Sequence, residues 1–121
     1  MQGIQRMIRR HVVGIAKTAS VSTALTLMRN ANVSLVPVLD DGRLVGVVTK
    51  QQALDNADNN KHVKEVMKGP DVCVFANSSV DEVADKMIKE GVGRLPVVNN
   101  KKEMLFLGMI TSTEIVREMK K

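Results

Sequence analysis

The chain has 121 residues, 44% of them hydrophobic. That is enough for one packed domain or two tightly joined half-domains, and too apolar for a disordered chain. No apolar run approaches the roughly 18 residues of a membrane-spanning helix, the N-terminal MQGIQRMIRRH lacks a signal peptide's apolar stretch, and a single cysteine, Cys73, excludes an intrachain disulfide framework. A soluble cytoplasmic protein is expected. The 18 basic and 13 acidic residues leave a net charge of +5, which favours anionic partners: nucleotides, nucleic acids or acidic protein surfaces. Two Phe and no Trp or Tyr count against single-stranded nucleic acid, whose binders stack bases on aromatic side chains.

In chain order, a short helical lead-in is expected over Ile4–Ile8 and a strand over Val12–Ile15. An amphipathic helix follows, with Val21, Ala24, Leu25 and Met28 on one face. Strands Leu35–Leu39 and Leu44–Val48 join through Asp40-Asp41-Gly42, a turn in which glycine tolerates positive φ. Pro37 suggests an edge strand or a strand end. A helix over Thr49–Asn56 closes the first half, and Asn56–Lys61 is a polar linker.

The second half repeats this order. Its lead-in is Val63–Met67 and its first strand Val72–Phe75. Val80, Val83, Ala84, Met87 and Ile88 recur at helical spacing and predict one buried face. Ser79 with Glu82 is a capping box, and Gly91 a C-terminal stop. Strands Arg94–Val98 and Leu105–Ile110 flank a polar loop, and a helix over Thr111–Met119 ends the chain. An offset of 59 carries Ser20 onto Ser79, Met28 onto Met87, Val33 onto Val92 and Pro37 onto Pro96. After a short insertion at Asn99–Glu103, an offset of 62 lays Gly46-Val47-Val48-Thr49 on Gly108-Met109-Ile110-Thr111. Two copies of about 60 residues indicate a pseudo-twofold pair, residues 1–58 and 59–121. Neither copy buries enough surface alone. An α/β (α+β) fold is expected, with the two repeats packed through their small sheets around a ligand-sized cleft.

Two pieces of each half carry a resemblance. One is the strand-to-helix turn Gly46–Gln52, matched by Gly108–Glu114. The other is the apolar-Pro-Val piece Val33–Val38, matched by Val92–Val97. With the β-α-β-β-α order and the tandem copy, the chain resembles a pair of CBS domains, a Bateman module. The resemblance covers essentially the whole chain. It implies a regulatory module that binds AMP, ADP, ATP or S-adenosylmethionine in the cleft between halves, with AMP foremost. It also implies a homodimer forming a four-domain disc. Because the pair fills the chain, the expected action is in trans on an effector protein.

The family places a Ser/Thr at the strand end, near the phosphates, and an Asp three residues later, where one carboxylate accepts both ribose hydroxyls. Here the pairs are Thr111 with Glu114, which keeps the charge on a longer arm, and Thr49 with Gln52, which loses it. Both pairs also read as helix capping boxes. Arg94 stands where some relatives carry a phosphate contact. The resemblance thus implies one site of Lys17, Thr18, Ala24, Val33, Ser34, Arg94, Met109, Ile110, Thr111 and Glu114. A second, weaker site draws on Val47, Val48, Thr49, Gln52, Asn77, Val83, Val92 and Gly93.

Other signals are less informative. Met28, Met87 and Met109 read as core, and Cys73 as a buried strand residue. His11 and His62 are isolated from other metal-binding side chains, so no metal site is expected. The basic ends, Arg6–Arg10 and Arg117–Lys121, read as solvated surface. No catalytic constellation emerges, and an enzyme is not expected. Two alternatives stay open: a basic RNA- or DNA-binding protein, and a structural CBS scaffold without ligand, which Gln52 favours.

Overall fold

The computed structural model describes residues 3–12, 14–58 and 60–121. Its strands are β1 (Ile15–Ala16), β2 (Leu35–Asp40), β3 (Arg43–Thr49), β4 (Val74–Phe75), β5 (Arg94–Val98) and β6 (Phe106–Thr111). Its helices are α1 (Val21–Ala31), α2 (Lys50–Asp55), α3 (Val80–Glu90) and α4 (Ser112–Met119). The lead-ins are single 3-10 turns, Gln5–Met7 and Val63–Glu65. This is the expected mixed α/β order, written twice. The expected first strand includes Val13, which lies outside the described residues; the paired strand there is Ile15–Ala16.

The chain forms two compact units that exchange their lead-ins. Among the described residues, one joins those up to Val12 to Val72–Lys121; the other is the stretch between, ending at Asp71. Each unit holds a three-stranded sheet, ordered β1-β2-β3 in one and β4-β5-β6 in the other. The first strand is parallel to the middle one, and the hairpin is antiparallel. In the unit of β1-β2-β3, Val21, Ala24 and Met28 pack the inner face of α1 against Val36, Val38 and Val48 of the sheet. In the other, Val83, Met87, Leu95, Val97, Ile110 and Ile115 are buried. Met109 and Cys73 are buried as expected.

The helix ends follow from local chemistry. Ser79 Oγ accepts from the Glu82 N–H at 3.1 Å, and Glu82 Oε1 accepts from the Ser79 N–H at 2.9 Å. These bonds satisfy two donors that a helix start would otherwise leave open. Gly91 ends α3 in the left-handed region at φ 68°, and Asn32, its counterpart at the offset of 59, ends α1 at φ 54°. Ile88 departs from expectation: it is 79% exposed. Val83 and Met87, four apart, define the buried line of α3, and Ile88 lies a further 100° around the helix, outside it.

Pro37 also departs from expectation. It lies in the middle of the central strand, opposite Val47, as Pro96 lies opposite Met109. Both bonds of Val47 run outward, to Lys68: its N–H donates to the Lys68 carbonyl at 3.1 Å and its carbonyl accepts at 2.8 Å. Met109 does the same with Arg9, at 2.9 and 2.7 Å. Pro37 and Pro96 therefore occupy non-hydrogen-bonded pairs of their hairpins, and the missing N–H faces away from the partner strand. On that side β1 and β4 register only with the residues after each proline, Val38–Leu39 and Val97–Val98. No ladder bond is lost.

Arg9 and Lys68, again 59 apart, thus bring the two lead-ins against β6 and β3. Glycine makes the approach possible. A Cβ on Gly108 would lie 2.3 Å from the Arg9 carbonyl oxygen, and one on Gly46 2.5 Å from that of Lys68. Gly108→Ala is expected to destabilise by about 1–3 kcal/mol and to expose the lead-in to limited proteolysis. At Gly93 the nearest atom to an added Cβ is 3.5 Å away, so Gly93→Ala should stay within about 0.5 kcal/mol in urea denaturation. Bonds from the Ser79 backbone and hydroxyl hold the Glu82 carboxyl below its ordinary value of 4.5. The stabilisation is complete above 4.5 and disappears as pH falls through the lowered native value. Melting curves from pH 6 to about 2 should therefore fall more steeply for the wild type than for Glu82→Gln.

Candidate functional site

The two strand-to-helix turns share a sequence pattern and differ in chemistry. At the end of β3, Thr49 Oγ1 accepts from the Gln52 N–H at 3.3 Å, and Gln52 Oε1 accepts from the Thr49 N–H at 2.9 Å and from its hydroxyl at 3.1 Å. This is a closed capping box. Both side chains spend their hydrogen bonds on starting α2.

At the end of β6 the box is open. Thr111 is the N-cap of α4 but makes no side-chain capping bond. Its Oγ1 is shielded from solvent and has no hydrogen-bond partner among the described residues. Leaving a buried hydroxyl unpaired costs about 1–3 kcal/mol. Glu114 turns elsewhere: Oε1 accepts from Arg9 Nη2 at 2.7 Å and Oε2 from Arg117 Nη1 at 3.4 Å. The reason for the split lies in the neighbours. Arg9 and Arg117 offer charge-assisted bonds stronger than a neutral cap, whereas their counterparts are Lys68 and the acidic Asp55.

Arg94 pairs with Thr111 at the mouth of the β5–β6 hairpin. Burial pulls its guanidinium below its ordinary pKa, and the nearby Arg9 charge adds to that shift. Arg9 and Arg117 thus share Glu114, three residues along the chain from Thr111, and Arg9 also lies near Arg94, so three arginines meet one carboxylate and positive charge is in excess. Glu114 and Arg117 also border a cavity of about 430 Å³, together with Gly3, Arg6, Met7, Glu118 and Lys121. Neither Thr111, whose hydroxyl is shielded, nor Arg94 belongs to that lining; the cavity wall itself carries the Glu114 carboxylate and the Arg6 and Arg117 guanidinium groups.

The remaining predicted residues fall into both units. In the unit of β3, Lys17 pairs with Asp40 at 3.0 Å and Thr18 is exposed in the turn after β1. Ala24 is fully buried in α1. Val33 and Ser34 line an open groove of about 770 Å³ with Ser22, Leu25, Thr26, Arg29, Lys50 and Leu54; neither Thr49 nor Gln52 belongs to its lining. Val47 and Val48 are fully buried. In the unit of β6, Met109 and Ile110 are likewise buried strand core, and Val83 is buried in α3. Asn77 and Gly93 are exposed, Val92 is half-buried, and the Gly93 carbonyl accepts from the Ser112 N–H at 2.8 Å. Among the described residues no group of three His, Cys, Asp or Glu could hold a metal ion. No helix among them is long and apolar enough to cross a membrane.

Arg9 is the residue that sequence reasoning passed over, as one of several surface charges near the N-terminus. The repeat held a signal for it: extending the offset of 59 upstream pairs Arg9 with Lys68, two basic residues at equivalent places in the two lead-ins.

Comparison with known proteins gives a family. The CBS domain model matches residues 4–58 and 63–121. The inosine-5'-monophosphate dehydrogenase of Thermoplasma acidophilum is 29% identical over 116 residues, which cover 96% of this chain and 23% of the dehydrogenase. The chain thus spans less than a quarter of that relative. The structure of CBSX2 in complex with AMP superposes with a TM-score of 0.84 at 24% identity, over 100% of both chains. The CBS domain pair of protein MJ0100, in complex with 5'-methylthioadenosine and S-adenosyl-L-methionine, superposes with a TM-score of 0.81 at 24% identity, over 99% of this chain and 97% of that one. At that identity both structures speak to the fold. The match over nearly the whole length, falling twice on the repeat, makes this chain a member of the CBS domain family with two CBS domains in tandem.

Proposed function

We propose that this CBS pair is a non-catalytic regulatory module. It binds an adenosine-containing ligand, with AMP foremost among AMP, ADP, ATP and S-adenosylmethionine, and acts on a partner protein in trans. The observation that carries the reading is the shielded Thr111 hydroxyl without a partner, beside Arg94 and Glu114. The hydroxyl and Arg94 serve the phosphate, and the Glu114 carboxylate serves the ribose diol. Solved CBS pairs named for complexes with AMP and with S-adenosylmethionine support the ligand class.

The two turns are unequal in this reading. Thr49 and Gln52 are committed to their own cap, so one ligand per chain is expected, at the turn of Thr111. The module acts as a homodimer, a reading supported by the exposed apolar side chains Leu54 and Val116, which occupy equivalent places in the two repeats, and by Ile88 and Met119. Regulation then requires that the ligand favour one state of the assembly, because equal affinity for two states shifts nothing.

Titration calorimetry with AMP is expected to give one site per chain, with Glu114→Ala and Arg94→Ala each weakening affinity by about 10-fold, the value of a charge-assisted hydrogen bond. Unchanged affinity in both variants overturns the assignment. A second pair of variants separates cap from site. Thr49→Ala should cost about 1 kcal/mol of stability and leave AMP affinity alone. Thr111→Val should hold or raise stability, since it removes a shielded unpaired hydroxyl, and should weaken AMP.

A further inference from the structure

The lead-in places a charge on the carboxylate that the proposed ligand needs. Arg9 is held by its backbone: its N–H donates to the Met109 carbonyl at 2.7 Å, and its carbonyl accepts from the Met109 N–H at 2.9 Å. Gly108 leaves room for that seat. Its side chain then reaches Glu114 at 2.7 Å, while Arg117 holds the other carboxylate oxygen. Both oxygens of Glu114 are therefore engaged by arginines. The Glu114 side chain is 20% exposed and that of Arg9 58%, so the pair lies at the edge of the site, with the arginine on the solvent side.

A ribose diol that takes Glu114 must displace at least part of this pairing. A neutral nucleoside replaces an ion pair, in which both groups are charged, by hydroxyl bonds in which only the carboxylate is charged. It also leaves Arg9 beside Arg94 with its counter-charge engaged by the ligand. A ligand with an anionic group supplies a new partner for the freed guanidinium. From this geometry we infer that Arg9 is a latch on Glu114 that makes the site selective for adenosine ligands bearing a negative charge over neutral adenosine. Burial chiefly lowers the pKa of Arg94, and the Arg9 charge beside it adds to that shift. The inference rests on the adenosine reading above and adds to it a residue outside the strand-to-helix motif, with a role opposite in sign for neutral and anionic ligands.

The test is calorimetry of AMP and adenosine against the wild type, Arg9→Gln and Arg9→Lys at one ionic strength. Removing the latch should tighten adenosine by about three-fold, the range of an exposed ion pair. It should weaken AMP by a similar factor, so the preference for AMP over adenosine falls about ten-fold. Arg9→Lys keeps the charge and should restore most of the preference, which also guards against a general defect in the glutamine variant. An unchanged preference in Arg9→Gln overturns the latch. So does weaker AMP binding with adenosine unchanged, which would make Arg9 a plain phosphate contact. Failure of the wild type to bind either compound overturns the adenosine reading itself, and the latch with it.

Discussion

A two-way backbone bond between one lead-in residue and the outer strand of each sheet sets the geometry of everything around it. Arg9 closes the open edge of β6 at Met109, and Lys68 closes that of β3 at Val47. The bond turns the polar groups of Met109 and Val47 outward, which leaves Pro96 and Pro37 in pairs that need no N–H. It requires glycine at the preceding position, 108 or 46, because a side chain there would meet backbone. It also carries Arg9 to within reach of Glu114. One short contact thus explains two prolines in central strands, two glycines, and the ion pair at the candidate site.

The same contact shows how a duplicated motif can diverge in use. Both turns start a helix after a threonine. In one, a neutral glutamine closes the cap and the threonine is consumed. In the other, a glutamate is drawn off by two arginines, and the threonine hydroxyl is left shielded and unpaired. The difference comes from three positions, 52/114, 68/9 and 55/117, rather than from backbone shape. A closed cap and an open one are here two outcomes of one local pattern, decided by which partner wins the acidic or amide side chain.

Much of the fold was legible in the sequence because it depends on local periodicity and on self-similarity. The helical spacing of Val83 and Met87, the Ser79–Glu82 box and the Gly91 stop are short-range signals, and the structure realises each. The second copy supplied independent support for every element of the first. The illegible parts are long-range. Nothing near Pro37 states that its neighbour strand will be bonded outward to Lys68, so an edge position was the natural expectation. Ile88 follows the apolar count of α3 but falls outside its buried line. For the candidate site, Thr111, Glu114 and Arg94 could be chosen by motif and by comparison of the two repeats. Arg9 could not be placed without knowing that the lead-in folds back onto β6, a pairing between residues 105 apart in the case of Glu114.

The exchange of lead-ins has a consequence for how the protein is made. The segment carrying Arg9 is synthesised before its dock on β6 and its ion partner at Glu114, which follow about 100 residues later, after roughly 5 to 20 s of elongation. The unit of β3 has its whole complement by Asp71, well before that point. The Arg9 segment must wait, basic and without its seat, until β6 emerges. Nascent-chain handling, rather than final stability, is where this topology is most exposed.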